Sequence, residues 1–598
     1  MSLGYVDTAV FLVYLLAVVV LGFWVGRGRR GTSEEYFLAG RSVPWYAVGA
    51  SFVGSNISTE HFIGMVGAAY VYGICVANWE WLNVWTFSIL IWIFIPFLLA
   101  TRVFSAPEFL ERRYNGTCRL LFAILTVVAS VFAFLAAVLY AGAIGIDAIF
   151  DVQGFLQSRF GVSEAAAPMV ATSLCVAALA VTTGSYAIFG GLRSVVWTDV
   201  FQVAVMFVGG ILVTVLGLAA LGGGDPVAGW KTMVAANRGV EAPGAPASGY
   251  GAVIAESAGR IVPGASHYDR LSLIQPLNHK IVPWPTLLVI WLSVSIWYNC
   301  INQFMIQRVL AAKNAWHARM GIVFSGFMKI FLPLIIVIPG LIMFTMEPHL
   351  PDPDKSYPIL VQRLVPVGLK GLLLATLFGA IQSTVSSVLN SASTVITLDI
   401  YRRFILRPAP AAGGTGRGAE GDGGRDRRTV RVGLAVSAAV LVVAAVLAPF
   451  IGLLQKGVFI YIQDLYAHFA PPFSAVFVVG LLWKRANAQG ATAAILAGLA
   501  LSMMIALGAG RLPWLAPLAP FLVRATVVWF FCVAVIAGVS LLTGRPPAHK
   551  VTDETTINWR KLNIFGDLGT PWYRSVVLWW SLFVAGILVC YVVYSGAF

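Results

Sequence analysis

Fourteen apolar runs, each long enough to cross a bilayer as a helix, leave this chain few folds to choose from. They lie near residues 6–26, 45–73, 79–101, 119–148, 167–190, 194–221, 284–309, 318–346, 367–404, 429–452, 457–483, 487–510, 521–543 and 573–597. A spanning helix needs ~20 mostly apolar residues. Backbone in lipid must satisfy its own hydrogen bonds, and runs of this length do so as helices. Composition agrees: 11% of the 598 residues are charged, against about 25% in an ordinary soluble chain. The expected fold class is an all-α polytopic membrane protein with about 14 transmembrane helices. The first run has no basic stretch ahead of it and is long enough to span, so it reads as a helix rather than a cleavable signal.

The net charge of +14 does not point to nucleic acid, because the basic residues are not gathered on one face or helix. They fall in separate short loops, as a membrane topology bias predicts. With the N-terminus outside, 26 Lys and Arg lie in cytoplasmic loops and 10 in outer ones. Both termini are therefore expected outside, in a plasma membrane or a bacterial inner membrane. The six cysteines form no CxxC pair and there is no HExxH, so neither a disulfide framework nor a zinc site is expected. No nucleophile–base pair stands at membrane depth, which points to a transporter and not an enzyme. Residues 222–283 read as a long external connection, and residues 408–428 have the composition of a flexible cytoplasmic linker.

Ionisable and polar residues inside spans are costly and default to function. The second run is interrupted by Gly54, Ser55, Asn56, Ser58, Thr59, Glu60 and His61. Such a cluster weakens the helix and frees backbone groups. The seventh run is interrupted likewise at 293–304 (SVSIWYNCINQF). With the leading helix set aside, these two open two five-helix halves, and broken helices at matching places point to an inverted-repeat transporter. Other polar positions at depth are Glu80, Asn83, Asp199, Lys329, Gln463 and the run Gln382–Ser387. Hydroxyls and carbonyls are hard oxygen ligands suited to an alkali cation. A single Ser or Thr more often back-bonds to its own helix, but Ser383, Thr384, Ser386 and Ser387 crowd one stretch.

Several segments together resemble the sodium/solute symporter family, and within it the sodium/sugar branch. They are FLAGRSVPWYAVGASFVGSNISTEHFIGM (37–65), GGLRSVVWTD (190–199), NQFMIQRVLAAKN (302–314), LNSASTVITLDIYRRF (389–404), YIQ (461–463) and GLLWKRANAQGATAAILAG (480–498). The resemblance implies a LeuT-type core of two inverted five-helix repeats with peripheral helices. Its division would be a leading helix and basic loop (1–30), a first repeat (31–221), the external loop (222–283), a second repeat (284–510) and peripheral helices (511–598) with a cytoplasmic loop at 544–572. It implies a sodium site from the carbonyls of Gly54, Ile57 and Ala380 with the hydroxyls of Ser383 and Thr384. Asp199 and Ser386 match a second sodium site. The sugar site maps to Asn56, His61, Glu80, Ser295, Lys329 and Gln463, with Asn83 one turn from Glu80 placed to add a contact. Tyr298 maps to the aromatic floor and inner gate beside Trp297, and Met65, Trp79 and Phe459 to the outer gate. Phe134 departs from the branch, which often has a polar side chain there, and Glu60 receives no role.

The function this implies is symport of sodium with a hexose or a polyol such as inositol, by alternating access. Sodium, the sugar and the lipid bilayer are the expected partners. Two rivals stand beside it: a family branch carrying sialic acid, proline or pantothenate, and a sodium-gated sensor or leak of the same fold. The polyol-suited set of carboxylate, amide and ammonium groups favours the sugar.

Overall fold

The computed structural model describes residues 4–27, 32–101, 105–240, 249–366, 368–406, 418–454 and 458–595. It is helical almost throughout, and its only β pairings among the described residues are two isolated bridges. Twelve helical stretches there are long and apolar enough to cross a membrane, so the chain is a multi-pass membrane protein. The expected number was about fourteen. The difference arises where neighbouring runs join: Glu60–Thr101 and Ala167–Leu221 are single stretches of 42 and 55 residues. The second bends at Gly191, whose φ of 61° falls outside the helical region.

Burial sorts the helices into core and periphery. In the Lys370–Ile405 stretch 94% of the apolar window is buried inside the protein, against 28% for Tyr5–Gly26 and 17% for Val576–Val593. A helix apolar all round and little buried by protein faces lipid. The central helix Lys370–Thr394 lies against Ala167–Leu221 and Trp45–Asn56. Its polar face is thereby turned inward, away from hydrocarbon.

The two expected interruptions are real breaks. Helix Trp45–Asn56 ends at Ile57, which is extended (φ −75°, ψ 117°), and a wide π turn over Glu60–Met65 resumes the path into helix Val66–Tyr72. The freed backbone is met by side chains, as it must be at membrane depth. The Ser58 N–H donates to His61 Nδ1 at 3.3 Å, and the Glu60 N–H donates to Ser58 Oγ at 3.1 Å. Ser55 Oγ turns back onto the Ser51 carbonyl at 2.6 Å. The second break falls at Asn302 (φ −61°, ψ 128°), between π turns over 291–301 and helix Gln303–Leu310.

The segment 222–283, expected to be a long external connection, is more than a spacer. It folds into helices Pro226–Asn237 and Tyr250–Ile261 and drives Arg270 into the core, where it is 1% exposed. The guanidinium donates to the carbonyls of Val71 (2.8 Å), Tyr70 (2.6 Å) and Ala69 (3.5 Å) and to Asn237 Oδ1 (2.9 Å). It thus caps the C-terminus of helix Val66–Tyr72, where the macrodipole favours a cation. Gly73 makes the approach possible: at φ 76° and ψ −153° it holds a conformation open essentially to glycine alone, and a Cβ there would lie 2.1 Å from the Arg270 carbonyl oxygen. Gly73→Ala is therefore expected to cost at least roughly 1–3 kcal/mol, read as a lower apparent Tm in detergent. Of the flexible linker expected at 408–428, residues 408–417 lie outside the described residues; the rest, from Gly418, is helical and continuous with the apolar run to Leu447.

Beyond the spans, Glu111 ties loop helix Ala106–Arg113 to the end of the central stretch through Arg403 (2.7 Å) and to helix Gly116–Ala129 through Arg119 (2.6 Å). Burial alone would raise its carboxyl, but those hydrogen bonds outweigh it and hold the group below its ordinary range. The clasp's contribution is thus full above the ordinary carboxylate pKa and fades as pH falls through the lowered value.

Candidate functional site

Where the first helix breaks, side chains converge on a cavity of about 60 Å³ lined by Asn56, Glu60, His61, Met65, Trp79, Glu80, Asn83, Ser295, Tyr298, Asn299, Gln463 and Tyr466, among others. Ligand pockets commonly run to roughly 300–1,000 Å³, so this one is contracted. Its polar groups hold one another. Lys329, on helix Ala315–Ile336, donates to both Glu80 and Asn56. His61 Nε2 lies 3.2 Å from Glu80 Oε1. The Asn56 amide donates to the Tyr298 hydroxyl at 2.9 Å, and the Asn299 amide donates to Asn83 Oδ1 at 2.7 Å. Gln463 donates to Glu60 Oε1 at 2.8 Å. A polar solute entering here has to exchange these bonds for its own, which suits a molecule rich in groups that both donate and accept.

Directly behind the cavity the same broken helix meets the central helix. Thr384 Oγ1 donates to the Ile57 carbonyl at 3.1 Å and lies 3.5 Å from that of Ser55. Gly54 is seated against Ser383 and Val203, where a Cβ would come within 3.0 Å of Ser383 Oγ and 2.7 Å of Val203 Cγ2. Ala380 is fully buried one turn back. Hydroxyl and freed carbonyl oxygens without a carboxylate form a donor set fit for a hard monovalent cation.

A third cluster adjoins these two. Asp199 accepts from Ser383 Oγ at 2.6 Å and Ser51 Oγ at 2.5 Å, and Arg308 lies 3.5 Å away. Arg308 also donates to Ser51 Oγ (2.9 Å), Ser387 and the Phe304 carbonyl. Both ions are completely buried. By its place in the sequence, at the end of the run 284–309, Arg308 is one of the 26 Lys and Arg expected in cytoplasmic loops. The break at Asn302 starts a short helix that carries it back into the core instead.

The residues expected to bind substrate are brought together with two qualifications. Lys329 reaches the cavity through its bonds to Glu80 and Asn56. Trp297 does not line it: the ring is 2% exposed and sits behind Tyr298 and Tyr466, with centroids 6.5 and 6.0 Å away. On the sodium side, Ser383 turns to Asp199, while Ser386 Oγ donates to the Ser383 carbonyl (3.0 Å). Of the three residues expected at the outer gate, Met65 and Trp79 line the cavity, and the side chain of Phe459 is outside the described residues. Phe134 packs beneath the floor, its ring 4.9 Å from Tyr466. The sequence had not singled out Glu60, Asn299, Tyr466, Ser51 or Arg308 for a role. Glu60 lies in the polar run that marks the first break and Asn299 in the interruption at 293–304, but Ser51, Tyr466 and Arg308 carry no signal beyond being polar in or near a span.

The pattern of the sodium:solute symporter family matches residues 36–498. The sodium/glucose cotransporter of Vibrio parahaemolyticus is 32% identical over 593 residues, covering 94% of this chain and 96% of that protein. The human sodium/myo-inositol cotransporter is 30% identical over 595 residues, covering 93% of this chain and 76% of its own. Among solved structures, a substrate-bound outward-open Na+-coupled sialic acid symporter superposes with a TM-score of 0.67 at 19% identity, over 91% of this chain and 99% of that one. At that identity the likeness is one of fold.

Proposed function

The chain belongs to the sodium:solute symporter family, and on that premise we propose that it couples sodium influx to uptake of a hexose or a polyol such as inositol. The observation that carries this reading is the double use of three consecutive residues. The carbonyls of Ser55 and Ile57 face Thr384, while the side chain of Asn56 between them turns into the polar cavity. An ion drawn to those carbonyls and a solute drawn to Asn56 act on the same break. Coupling needs each ligand to distinguish the states of a shared element, and this break is such an element. The sugar class rests on the cavity's carboxylate, amide, hydroxyl and ammonium groups and on the named activities of the sodium/glucose and sodium/myo-inositol relatives.

In this reading sodium is held by the carbonyls of Gly54, Ile57 and Ala380 and the hydroxyls of Ser383 and Thr384. A second ion would use Asp199, with Ser383 and Ser51 as its nearest hydroxyls and Ser386 one turn on. Sodium steadies the broken helix with the outer side open. The solute takes Glu80, His61, Asn56, Asn83, Ser295, Gln463 and Lys329 as partners over the Tyr298 ring, and Met65 and Trp79 close above it. Residues 31–221 and 284–510 act as the two repeats whose rocking releases the load inward. The loop charges favour both termini outside in a plasma or inner membrane.

The sodium arm has a direct test. Thr384→Val keeps the shape and removes the hydroxyl. A hydrogen-bonding group facing a charge contributes about 1.5–3 kcal/mol, so the sodium concentration for half-maximal uptake should rise at least about tenfold. An unchanged sodium dependence would move the ion elsewhere.

A further inference from the structure

The starts of helices Trp45–Asn56, Ala315–Ile336 and Val576–Val593 meet at one end of the helical body. There the ring of Trp316 supports a cluster of basic side chains. Its indole N–H donates to the Arg574 carbonyl at 2.9 Å, and the guanidinium carbon of Arg574 lies 5.6 Å from the ring centre. Gly569 closes on both groups: a Cβ there would lie 2.2 Å from that carbonyl oxygen and 2.5 Å from the indole nitrogen. The backbone of Arg574 is thereby fixed against Trp316. The His317 ring sits beside it, with centroids 4.9 Å apart. His317 Nδ1 accepts from the Trp45 N–H at 3.2 Å, so in the neutral ring Nε2 carries the hydrogen and is left to donate. Lys313 and Arg574 both lie within electrostatic reach of His317. Both are exposed, and among the described residues neither is paired with a carboxylate. Cations gathered in this way repel one another, and an anion between them offsets that repulsion. Beside them Trp572 and Tyr573 are 74% and 56% exposed.

We propose that Lys313, His317 and Arg574 bind the phosphate of an anionic phospholipid headgroup, with Trp572 and Tyr573 seated in the bilayer interface beside it. The segment 543–575 joins helices Phe521–Leu542 and Val576–Val593, both long and apolar enough to span. Its two ends are therefore held at the bilayer surface. Tryptophan and tyrosine settle at that level, and cations placed there attract anionic lipid. A free phosphate ion would satisfy the cations but leave both rings in water. The bond between Trp45 and His317 puts the lipid at the root of the first broken helix. Bound lipid thus braces the helix that ends at Ile57.

The experiment titrates the purified full chain in detergent with dioleoylphosphatidylglycerol or dioleoylphosphatidylcholine and counts bound lipid by native mass spectrometry. Wild type should bind the anionic lipid at least about tenfold more tightly than the zwitterionic one, and millimolar inorganic phosphate should not displace it. Lys313→Gln with Arg574→Gln should weaken the anionic lipid at least about tenfold and leave the zwitterionic one within about threefold. Arg560→Gln, which removes an exposed cation of the same segment outside the cluster, should change either affinity by no more than about twofold. Trp572→Ala with Tyr573→Ala should weaken both lipids. If the double charge variant does not fold, Lys313→Gln alone, at an exposed side chain, should still weaken the anionic lipid about fivefold. Equal binding of the two lipids by wild type overturns the proposal. So does an undiminished preference in the charge variants, an equal loss in Arg560→Gln, or unchanged binding without the two rings. Displacement by inorganic phosphate would make the cluster a site for a free anion and overturn the lipid as its ligand.

Discussion

Lys329→Ala should reduce sodium-driven uptake at least about a hundredfold, the largest loss expected from any change in the cavity. Lys329 and Glu80 are 2% and 3% exposed, and the ammonium also holds Asn56. Removing one partner of a buried ion pair costs about 3–5 kcal/mol, because the other charge is left uncompensated. Here Glu80 would keep only His61. At 1.4 kcal/mol per factor of ten, that penalty covers the predicted loss. Part of it falls on folding and part on transport, and a paired variant separates them. Lys329→Met with Glu80→Gln buries no unpaired ion, so thermal stability should return toward wild type while uptake stays lost. Lys329→Ala protein that still transports within about threefold of wild type would remove this lysine from the site.

Arg308→Ala should have a comparable effect by a different route. Arg308 and Asp199 are both completely buried, and the guanidinium spans Ser51, Ser387 and the Phe304 carbonyl. It therefore joins the first broken helix, the second broken helix and the central helix. Its loss leaves Asp199 without a cation, at about 3–5 kcal/mol, and leaves three further acceptors to find new donors. The expected readout is a sharp drop in folded protein recovered from membranes and in apparent Tm. Arg308→Lys should rescue only partly, because an ammonium cannot reproduce the planar fork. Full stability in Arg308→Lys would mean that charge alone, without that geometry, holds the three helices.

What the sequence revealed and what it withheld follow from the same physics. Charge and polarity are scarce in lipid, so Glu80, Lys329, Asp199, Asn56 and His61 stood out at once, and the structure gathers them at two adjoining places. The breaks at Ile57 and Asn302 were legible because small and polar residues interrupt apolar runs there. Arg308 was hidden for the opposite reason: beside Lys313 and the end of a hydrophobic run it looks like an ordinary loop cation, and only the short helix that follows the break at Asn302 holds it in the core. Arg270 was hidden in a loop whose glycines and prolines read as a spacer; its partners are carbonyls, which leave no mark in a sequence. Glu60 was visible but ambiguous, since its neighbour Gln463 lies 403 positions away and no local pattern links them. Trp297 and Tyr298 are adjacent in sequence yet face different ways, and helical packing alone decides which ring meets the cavity.

The most direct test of the whole account is uptake into proteoliposomes holding the purified protein. Glucose, galactose and myo-inositol are offered with an inward sodium gradient, with sodium equal on both sides, and with potassium replacing sodium. The account predicts accumulation of at least one of them above its outside concentration with the gradient, and no such accumulation in the other two conditions. Equal uptake in potassium, or sodium-driven accumulation of sialic acid or proline with none of the three sugars and polyols, would contradict it.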